Sequence, residues 1–328
     1  MSLSDVAEQV RRGEAFLVVP HLRPDVDALG SSLGLAAVLR ALGKQASVFV
    51  PGKLPRSVAF LVSGASITTS VPAGVRFDAT FVLDTATPDL VPAGLPEVDR
   101  RGPLIVLDHH AVHDDFGDLV VRDDAASATA ELVVALAREL GLSSLPAACA
   151  TPLYAALAAD TGGFRYPSTS ASTLRLGAEL LDAGAEAWPV AQQLFEVWPM
   201  PRLRLLAALI DGLETDFDGR LAWLRVSRAL MREVGVDDDQ VDGLVNYGRM
   251  LEGVEVSVLL WEWPAEAGAQ ATKLSLRSNG EVDVAQLARV FGGGGHRAAA
   301  GALAPLSMER TAARLRAELE LVFRVSGP

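Results

Sequence analysis

Imidazole and carboxylate side chains cluster at four places in the first half of the sequence, each beside an apolar run. The first place is the stretch HLRPDVDALGSS at residues 21–32. The eight residues of this kind are His21, Asp25, Asp27, Asp84, Asp108, His109, His110 and Asp160. Because their ligand atoms are nitrogen and oxygen without a thiolate, they favour manganese over magnesium and over a structural zinc site. Eight groups are too many for one cation, and two cations that share a carboxylate are a recurring arrangement for in-line displacement at phosphorus.

Parallel strands and the helices between them must position these groups. Apolar runs predict strands at 16–19, 46–50, 79–83 and 104–107, and helical spacing predicts helices at 29–42, 127–140, 153–159 and 172–181. Continuous apolar runs are typical of a parallel sheet that helices cover on both faces. Three strands lead into His21, Asp84 and Asp108, so we expect these side chains at one edge of the sheet, where ligands bind in open α/β folds. Asp25 also suits a helix N-cap, a role that requires no metal.

The length of the chain and a change in its pattern of predicted helices and strands predict two domains. The 328 residues exceed one ordinary domain, and the proline-containing run at 188–213 predicts a kinked helical connector. Beyond it, strands at 221–226, 255–261 and 272–277 and a short helix at 283–290 predict a smaller α+β domain. We therefore predict an α/β domain at 1–186, a helical linker at 187–213 and a C-terminal α+β domain at 214–328.

The glycine-rich run FGGGGHRAAAG at 291–301 is the second stretch that suggests chemistry. Consecutive glycines let backbone N–H groups turn toward one anion, and the alanines after them predict a helix whose N-terminus would add its dipole. Arginine side chains offer a fork that matches phosphate oxygens. The candidate substrate-binding residues are Arg277, Gly292, Gly293, Gly294, Gly295, His296 and Arg297. A mobile loop without a ligand is the alternative for the glycines, and Phe164, Tyr166 and Tyr247 suit either packing or stacking on a base.

Composition and charge exclude several classes of protein. A net charge of −12 argues against a protein that coats long nucleic acid, because that affinity requires a basic surface. No apolar run reaches the roughly 18 to 20 residues of a membrane helix, and no signal sequence is evident at the start. Cys149 is the only cysteine, so an internal disulfide is excluded and a reducing compartment, the cytoplasm, is expected.

The ordered motifs HLRPDVDALGS at 21, VLDT at 82, LDHH at 107 and ADTGGF at 159 resemble those of the DHH phosphoesterase family. GGGGHRAAAG at 292 resembles the first type of DHH-associated C-terminal domain. The length is most similar to that of the nanoRNase and 3′-phosphoadenosine 5′-phosphate phosphatase branch. The resemblance implies a phosphodiesterase that degrades RNA of about two to five nucleotides to mononucleotides and dephosphorylates 3′-phosphoadenosine 5′-phosphate.

The same resemblance implies roles for the individual residues and a cofactor of two manganese ions per chain. The first ion would be bound by His21, Asp25 and Asp84, and the second by Asp27, Asp84, His109 and Asp160, with Asp84 bridging. His110 would face the scissile phosphate, and Asp108 would support it without binding metal. The expected partners are short RNA and small phosphorylated nucleotides, without long nucleic acid or a membrane. The chain could be a monomer or a homodimer.

Other activities remain open at this point. The same residues would hydrolyse a cyclic or linear dinucleotide such as diadenylate. A family II inorganic pyrophosphatase would share the first four motifs, but its C-terminal domain is of a second type that lacks GGGGH. A processive single-strand exonuclease would need a longer basic path than a net charge of −12 suggests. A non-catalytic nucleotide sensor would have no need for the metal-type side chains.

Overall fold

The computed structural model describes residues 2–62, 67–264 and 270–325. The chain divides into two compact units, Met1–Val197 and Trp198–Pro328. This division falls inside the predicted linker, so the helical segment 187–213 contributes to both units. The boundaries of the three predicted parts remain a proposal, and residues 326–328 of the predicted C-terminal domain lie outside the described residues.

The first unit is built on a parallel sheet. Its strands are β1 (Ala15–Pro20), β2 (Gln45–Phe49), β3 (Ile67–Thr68), β4 (Ala79–Leu83), β5 (Leu104–Asp108) and β6 (Leu119–Arg122). Its helices are α1 (Leu3–Arg12), α2 (Val26–Ala41), α3 (Val98–Arg101), α4 (Thr129–Glu139), α5 (Ala147–Asp160), α6 (Ala171–Asp182) and α7 (Ala187–Ala191), followed by a π-helix at Gln192–Glu196. The strand order is β3-β2-β1-β4-β5-β6, and every pair is parallel. The predicted α/β class is therefore confirmed, while the predicted elements include no counterpart of α1, α3, β3 and β6.

Alternate residues of the strands face opposite sides of the sheet, as the two-residue period of a strand requires. Phe16 and Val18 belong to the core that the sheet forms with the helices, whereas Leu17 and Val19 lie on the other face, where Val71 packs against the same cluster. On that second face the partly buried residues Val71, Phe77 and Phe116, which belong to irregular segments, pack against the strands.

The close packing of α2 against α5 brings two acidic residues together. Helix α2 is buried from Val26 to Leu39. A Cβ atom at Gly30 would lie 2.5 Å from the carbonyl oxygen of Pro152 on α5, so only glycine permits this approach. The N-terminus of α2 carries Asp27, and the last residue of α5 is Asp160.

The second unit contains a mixed sheet. Its strands are β7 (Glu214–Asp216), β8 (Leu221–Val226), β9 (Val256–Trp263), β10 (Ala271–Ser278), β11 (Gly294–His296) and β12 (Ala299–Ala304). Its helices are α8 (Met200–Asp211), α9 (Arg228–Val234), α10 (Val245–Arg249), α11 (Val284–Arg289) and α12 (Met308–Val325). The order is β11-β12-β10-β9-β8-β7, with β8 and β9 parallel and the remaining pairs antiparallel. This unit is the predicted α+β domain, and within the described parts of both units no helix is long and apolar enough to cross a membrane.

The alanine-rich segment after the glycines forms a strand, so the predicted helix there is wrong. Residues Ala299–Ala304 form β12, which pairs with β10 along its whole length. Alanine favours helix in isolation, but pairing within a sheet overrides so weak a preference. No helix dipole therefore supports the glycine-rich run.

Candidate metal centre

The predicted metal-type residues of the first unit lie at the carboxyl ends of β1, β4 and β5, at the start of α2 for Asp25 and Asp27, and at the end of α5 for Asp160. These three strands are neighbours in the sheet, and the strand order reverses between β1 and β4. Ligands bind at such a reversal in open α/β sheets because the connections diverge there and leave a crevice. Asp84, directly after β4, has φ +55°, a left-handed conformation that aspartate tolerates better than most residues.

One group of ligand atoms belongs to His21, Asp25 and Asp84, which offer atoms within 4.8 Å of one another. Nε2 of His21 lies 3.7 Å from Oδ1 of Asp25 and 3.9 Å from Oδ2 of Asp84. Nδ1 of His21 contacts the carbonyl oxygen of Leu22 at 3.0 Å. That contact orients the ring so that Nε2 faces the carboxylates, the arrangement found in metal-binding histidines.

A second group consists of Asp27, His109 and Asp160. Nε2 of His109 lies 3.2 Å from Oδ2 of Asp160, 3.5 Å from Oδ2 of Asp27 and 3.5 Å from Oδ1 of Asp84. Its Nδ1 contacts the carbonyl oxygen of Ala126 at 3.1 Å. Asp84 thus adjoins both groups, and the four residues come from four different elements of the fold.

Asp108 and His110 form a third part of the centre. Nδ1 of His110 lies 2.8 Å from Oδ1 of Asp108, and Arg122 donates from Nε to Oδ2 of the same carboxylate at 3.3 Å. Asp108 is fully buried. Although burial alone would raise the pKa of Asp108, the hydrogen bond from His110 holds it below its usual range. The pair therefore combines a charged, immobile carboxylate with an imidazole that it orients.

Three residues that hold the acids in place have no counterpart among the predicted site residues. Thr129, at the start of α4, donates its backbone N–H to Oδ2 of Asp27 at 2.7 Å and its hydroxyl to Oδ1 of Asp84 at 3.0 Å. Ser31 donates its hydroxyl to Oδ1 of Asp27 at 2.7 Å. Arg122, opposite Asp108 in the β5–β6 register, is the third. Their roles depend on which elements meet in space, so the sequence alone contains little signal for them beyond a polar residue at a helix start.

The ionisation of the cluster is strongly perturbed. Burial raises the pKa of Asp27 to about 7, with a further rise from the charge of Asp84. Burial likewise raises the pKa of Asp84 and of Asp160 to about 6. Burial would lower the pKa of His109, but the neighbouring carboxylates outweigh it and raise that pKa to about 11. Without a cation the centre therefore retains protons at neutral pH.

The residues present fit divalent cations. Two imidazole nitrogens, each fixed by a backbone carbonyl, face carboxylate oxygens 3.2 to 3.9 Å away in a mostly buried setting. Nitrogen and oxygen donors of this kind bind manganese and similar ions, and a bound cation replaces the protons that otherwise keep the acids together. Acidic and histidine side chains able to bind metal ions are therefore present in the first unit.

The glycine-rich run lies in the second unit and is shaped by packing. A Cβ at Gly293 would lie 2.1 Å from the carbonyl oxygen of Gly301, and one at Gly295 would lie 2.5 Å from that of Ala299. These glycines therefore permit the tight β11–β12 hairpin. Arg297 is exposed, and its guanidinium donates to the carbonyl oxygens of Gly280 and Glu281 at 3.1 to 3.4 Å. Arg277 lies on β10, opposite Ala299 of the hairpin.

Acids and imidazoles gathered at one edge of a parallel α/β sheet, in a chain whose second unit is of the α+β type, fit the class of metal-dependent phosphoesterases. The family described as "DHH family, N-terminal domain" matches residues 15–157, and the DHHA1 domain matches residues 223–324. The bifunctional oligoribonuclease and PAP phosphatase NrnA of Thermus thermophilus is 35% identical over 90% of this chain and 86% of the relative. The protein of the same name from Bacillus subtilis is 28% identical over 88% and 89% of the two chains. This chain therefore belongs to the DHH family of phosphoesterases.

A solved structure agrees with this assignment. The exopolyphosphatase-related protein from Bacteroides fragilis superimposes with a TM-score of 0.83 at 25% identity, covering 97% of this chain and 95% of that one. The predicted family and class of enzyme are confirmed.

Proposed function

We propose that this chain is a manganese-dependent phosphodiesterase that degrades short oligoribonucleotides to mononucleotides and dephosphorylates 3′-phosphoadenosine 5′-phosphate. The observation that carries the proposal is the pair of ligand groups joined by Asp84, whose two carboxylate oxygens lie near His21 on one side and His109 on the other. The names of the Thermus and Bacillus relatives support the choice of substrates.

In this proposal His21, Asp25 and Asp84 bind one manganese ion, and Asp27, Asp84, His109 and Asp160 bind a second. When bound, two cations supply positive charge for the phosphate oxygens and lower the pKa of a water molecule. Thr129 keeps Asp27 and Asp84 at a fixed separation, since it donates to both. Thr129, which would not itself bind metal, thus helps to position two of the carboxylates that would hold the ions.

His110 and Asp108 are proposed to handle the proton of the leaving group. Asp108 accepts from Nδ1 of His110, which leaves Nε2 as the atom that gains or loses a proton. Without bound cations, the hydrogen bond to Asp108 and the charge of Asp84 raise the pKa of His110 to about 9, against the effect of burial. The bond to Asp108 involves no proposed metal ligand, so it favours the protonated ring in the metal-bound protein as well. We propose that Nε2 donates this proton to the leaving oxygen, and that Arg122 keeps Asp108 charged and in place.

The residues of the glycine-rich hairpin are proposed to bind substrate rather than to take part in the reaction. Arg277, His296 and Arg297 supply donors suited to a phosphate or a terminal group of the nucleotide. The backbone N–H groups of Gly292, Gly293, Gly294 and Gly295 are the remaining candidates. The single cysteine, Cys149, is buried, and we propose a cytoplasmic location on the basis of that cysteine usage.

A substrate panel tests the proposal. The manganese-loaded protein is assayed with RNA from a dinucleotide to a long single strand, with 3′-phosphoadenosine 5′-phosphate, with cyclic and linear diadenylate, and with pyrophosphate. We expect turnover of the shortest RNA and of 3′-phosphoadenosine 5′-phosphate. Rates should fall steeply beyond about five nucleotides, because a chain with a net charge of −12 offers little attraction for the rest of the strand. Equal rates on the long strand would identify a general exonuclease, and activity on diadenylate alone would identify a dinucleotide phosphodiesterase. Asp84→Ala is the inactive control.

A further inference from the structure

A cavity of about 250 Å³ in the first unit adjoins the loop that follows Asp160. Its wall includes the aromatic rings of Tyr154, Phe164 and Phe195, together with Arg165. Only 6% of the residues in this chain are aromatic, so three rings around one cavity are a marked concentration. Ala158 lines the cavity two residues before Asp160, so the cavity lies beside the end of α5 that carries this acid, although residues two apart point to different sides of a helix.

The loop beside the cavity is held in an uncommon conformation. Gly162, Gly163 and Phe164 all have positive φ, at 58°, 72° and 63°. A Cβ at Gly163 would lie 3.2 Å from Cε2 of Phe195, so glycine leaves room for that ring. Phe195 itself projects from the π-helix at Gln192–Glu196 and is 37% exposed. π-Helices are rare and are frequent at functional sites.

Arg165 lies at the rim with its guanidinium fixed. Its Nε donates to the carbonyl oxygen of Gly162 at 2.5 Å, and its Cζ lies 5.3 Å from the centre of the Phe195 ring. Within the parts of the chain that the structure describes, the two terminal nitrogens of Arg165 have no hydrogen-bond partner. The rim therefore offers cationic donors next to aromatic faces.

We propose that this cavity is a subsite for the nucleobase of a substrate nucleotide, with Phe195 and Arg165 as the residues that select for a base; the inference rests on the proposed function. A planar heterocycle suits walls of aromatic rings, since stacking accepts any base. The cavity is smaller than the roughly 300 to 1,000 Å³ of sites for drug-sized ligands, so it takes one base rather than a dinucleotide. A phosphate would need more donors than a single arginine provides. The terminal nitrogens of Arg165 are then donors for the ring nitrogens or carbonyl oxygens of that base.

Binding of two ligands that differ only in the base tests this subsite. Calorimetry with the manganese-loaded protein compares adenosine 5′-monophosphate with ribose 5-phosphate. Stacking on one ring contributes about five- to hundredfold in affinity, so the wild type should prefer the nucleotide by about that factor. Phe195→Leu keeps the apolar volume but removes the ring. It should bring the ratio of the two affinities close to one without weakening the binding of ribose 5-phosphate. Phe195→Tyr should retain the preference.

The control is Trp188→Ala, because Trp188 is an aromatic residue on α7 that is 61% exposed and does not line the cavity. It should keep the wild-type preference. An unchanged preference in Phe195→Leu, or an equal loss for both ligands, would overturn the subsite. Because the measurement needs no turnover, a protein that fails to cleave short RNA but shows the expected change refutes the proposed function and leaves the subsite standing.

Discussion

Removal of one hydroxyl group at Thr129 should weaken manganese binding without unfolding the protein. Thr129 is fully buried, and its hydroxyl donates to Oδ1 of Asp84 at 3.0 Å while its backbone N–H donates to Oδ2 of Asp27. Valine has the same shape as threonine and retains the backbone N–H. Thr129→Val therefore removes one hydrogen bond to the bridging carboxylate and leaves the bond to Asp27 in place.

The size of the effect follows from the charge of the acceptor. A hydrogen bond to a charged group contributes about 1.5 to 3 kcal/mol, and a lost partner of a metal ligand typically costs about 10- to 100-fold in metal affinity or activity. We therefore expect the manganese dissociation constant to rise by about ten- to hundredfold, which corresponds to the same range of free energy. Calorimetric titration of metal-free protein measures the constant, and excess manganese should restore most of the activity.

Two further variants make the reasoning refutable. Thr129→Ser keeps the hydroxyl and should bind manganese like the wild type. Thr80→Val is the matched control, because Thr80 is equally buried on β4 but donates its hydroxyl to the carbonyl oxygen of Arg101. Wild-type affinity in Thr129→Val, or an equal loss in Thr80→Val, would show that the hydroxyl does not hold Asp84 in place.

Three other outcomes are expected. Asp84→Ala should lose activity by several orders of magnitude while circular dichroism shows a folded chain, and full activity in this variant would contradict the assignment. Asp27→Ala and His109→Ala should each bind about one manganese ion instead of two. Arg297→Ala should weaken binding of short RNA about ten- to hundredfold yet hydrolyse a nitrophenyl phosphoester normally, and loss of both would place Arg297 at the reacting phosphate. In the presence of a metal chelator, the melting temperature should fall as the pH rises from about 4 to 9. The reason is that folding raises the pKa of cluster carboxyl groups from 3.8 to about 6 or 7 and that of imidazoles from 6.5 to about 9, so the folded chain binds more protons than the unfolded one. A melting temperature that stays constant or rises over this range would contradict the reasoning.

The parts of the fold that the sequence predicts are those with an unambiguous period. The run at 79–83 coincides with β4, which is buried throughout, and the run at 221–226 coincides with β8, which is buried except at Arg225. Buried strands of this kind require mostly apolar residues, and that pattern is visible in the sequence. The ends of these apolar runs also indicate the edge of the sheet that carries the site. A carboxylate directly after an apolar strand has no role in packing, so it points to another function. Residue types and strand ends therefore predict which acids and imidazoles gather at this edge, whereas their assignment to two ions came from the resemblance to the family and stays a proposal.

The parts that escape prediction depend on contacts between distant elements. Arg122 faces Asp108 only because β6 pairs with β5 in one particular register. Thr129 reaches Asp27 and Asp84 only because α4 begins beside α2 and β4. Helix formation after the glycines was favoured by alanine, yet pairing with β10 decided the structure. Register and helix placement are settled by tertiary packing, which a single sequence does not reveal.

The electrostatics of the centre explain why its acids are tied to cations. Burial and mutual repulsion raise the pKa of Asp27, so the folded chain alone is a poor environment for this carboxylate in its charged form. Apolar residues of similar volume would stabilise such a site better. Thr129 and Ser31 nevertheless orient the oxygens of Asp27 instead of leaving them to be neutralised by protons. A cation reverses the balance, because it is attracted by each charge that the protein otherwise has to bury. Hydrogen bonds that hold repelling carboxylates at a fixed separation stabilise the metal-bound state, and this is the physical reason to regard the cluster as a metal centre rather than a structural ion-pair network.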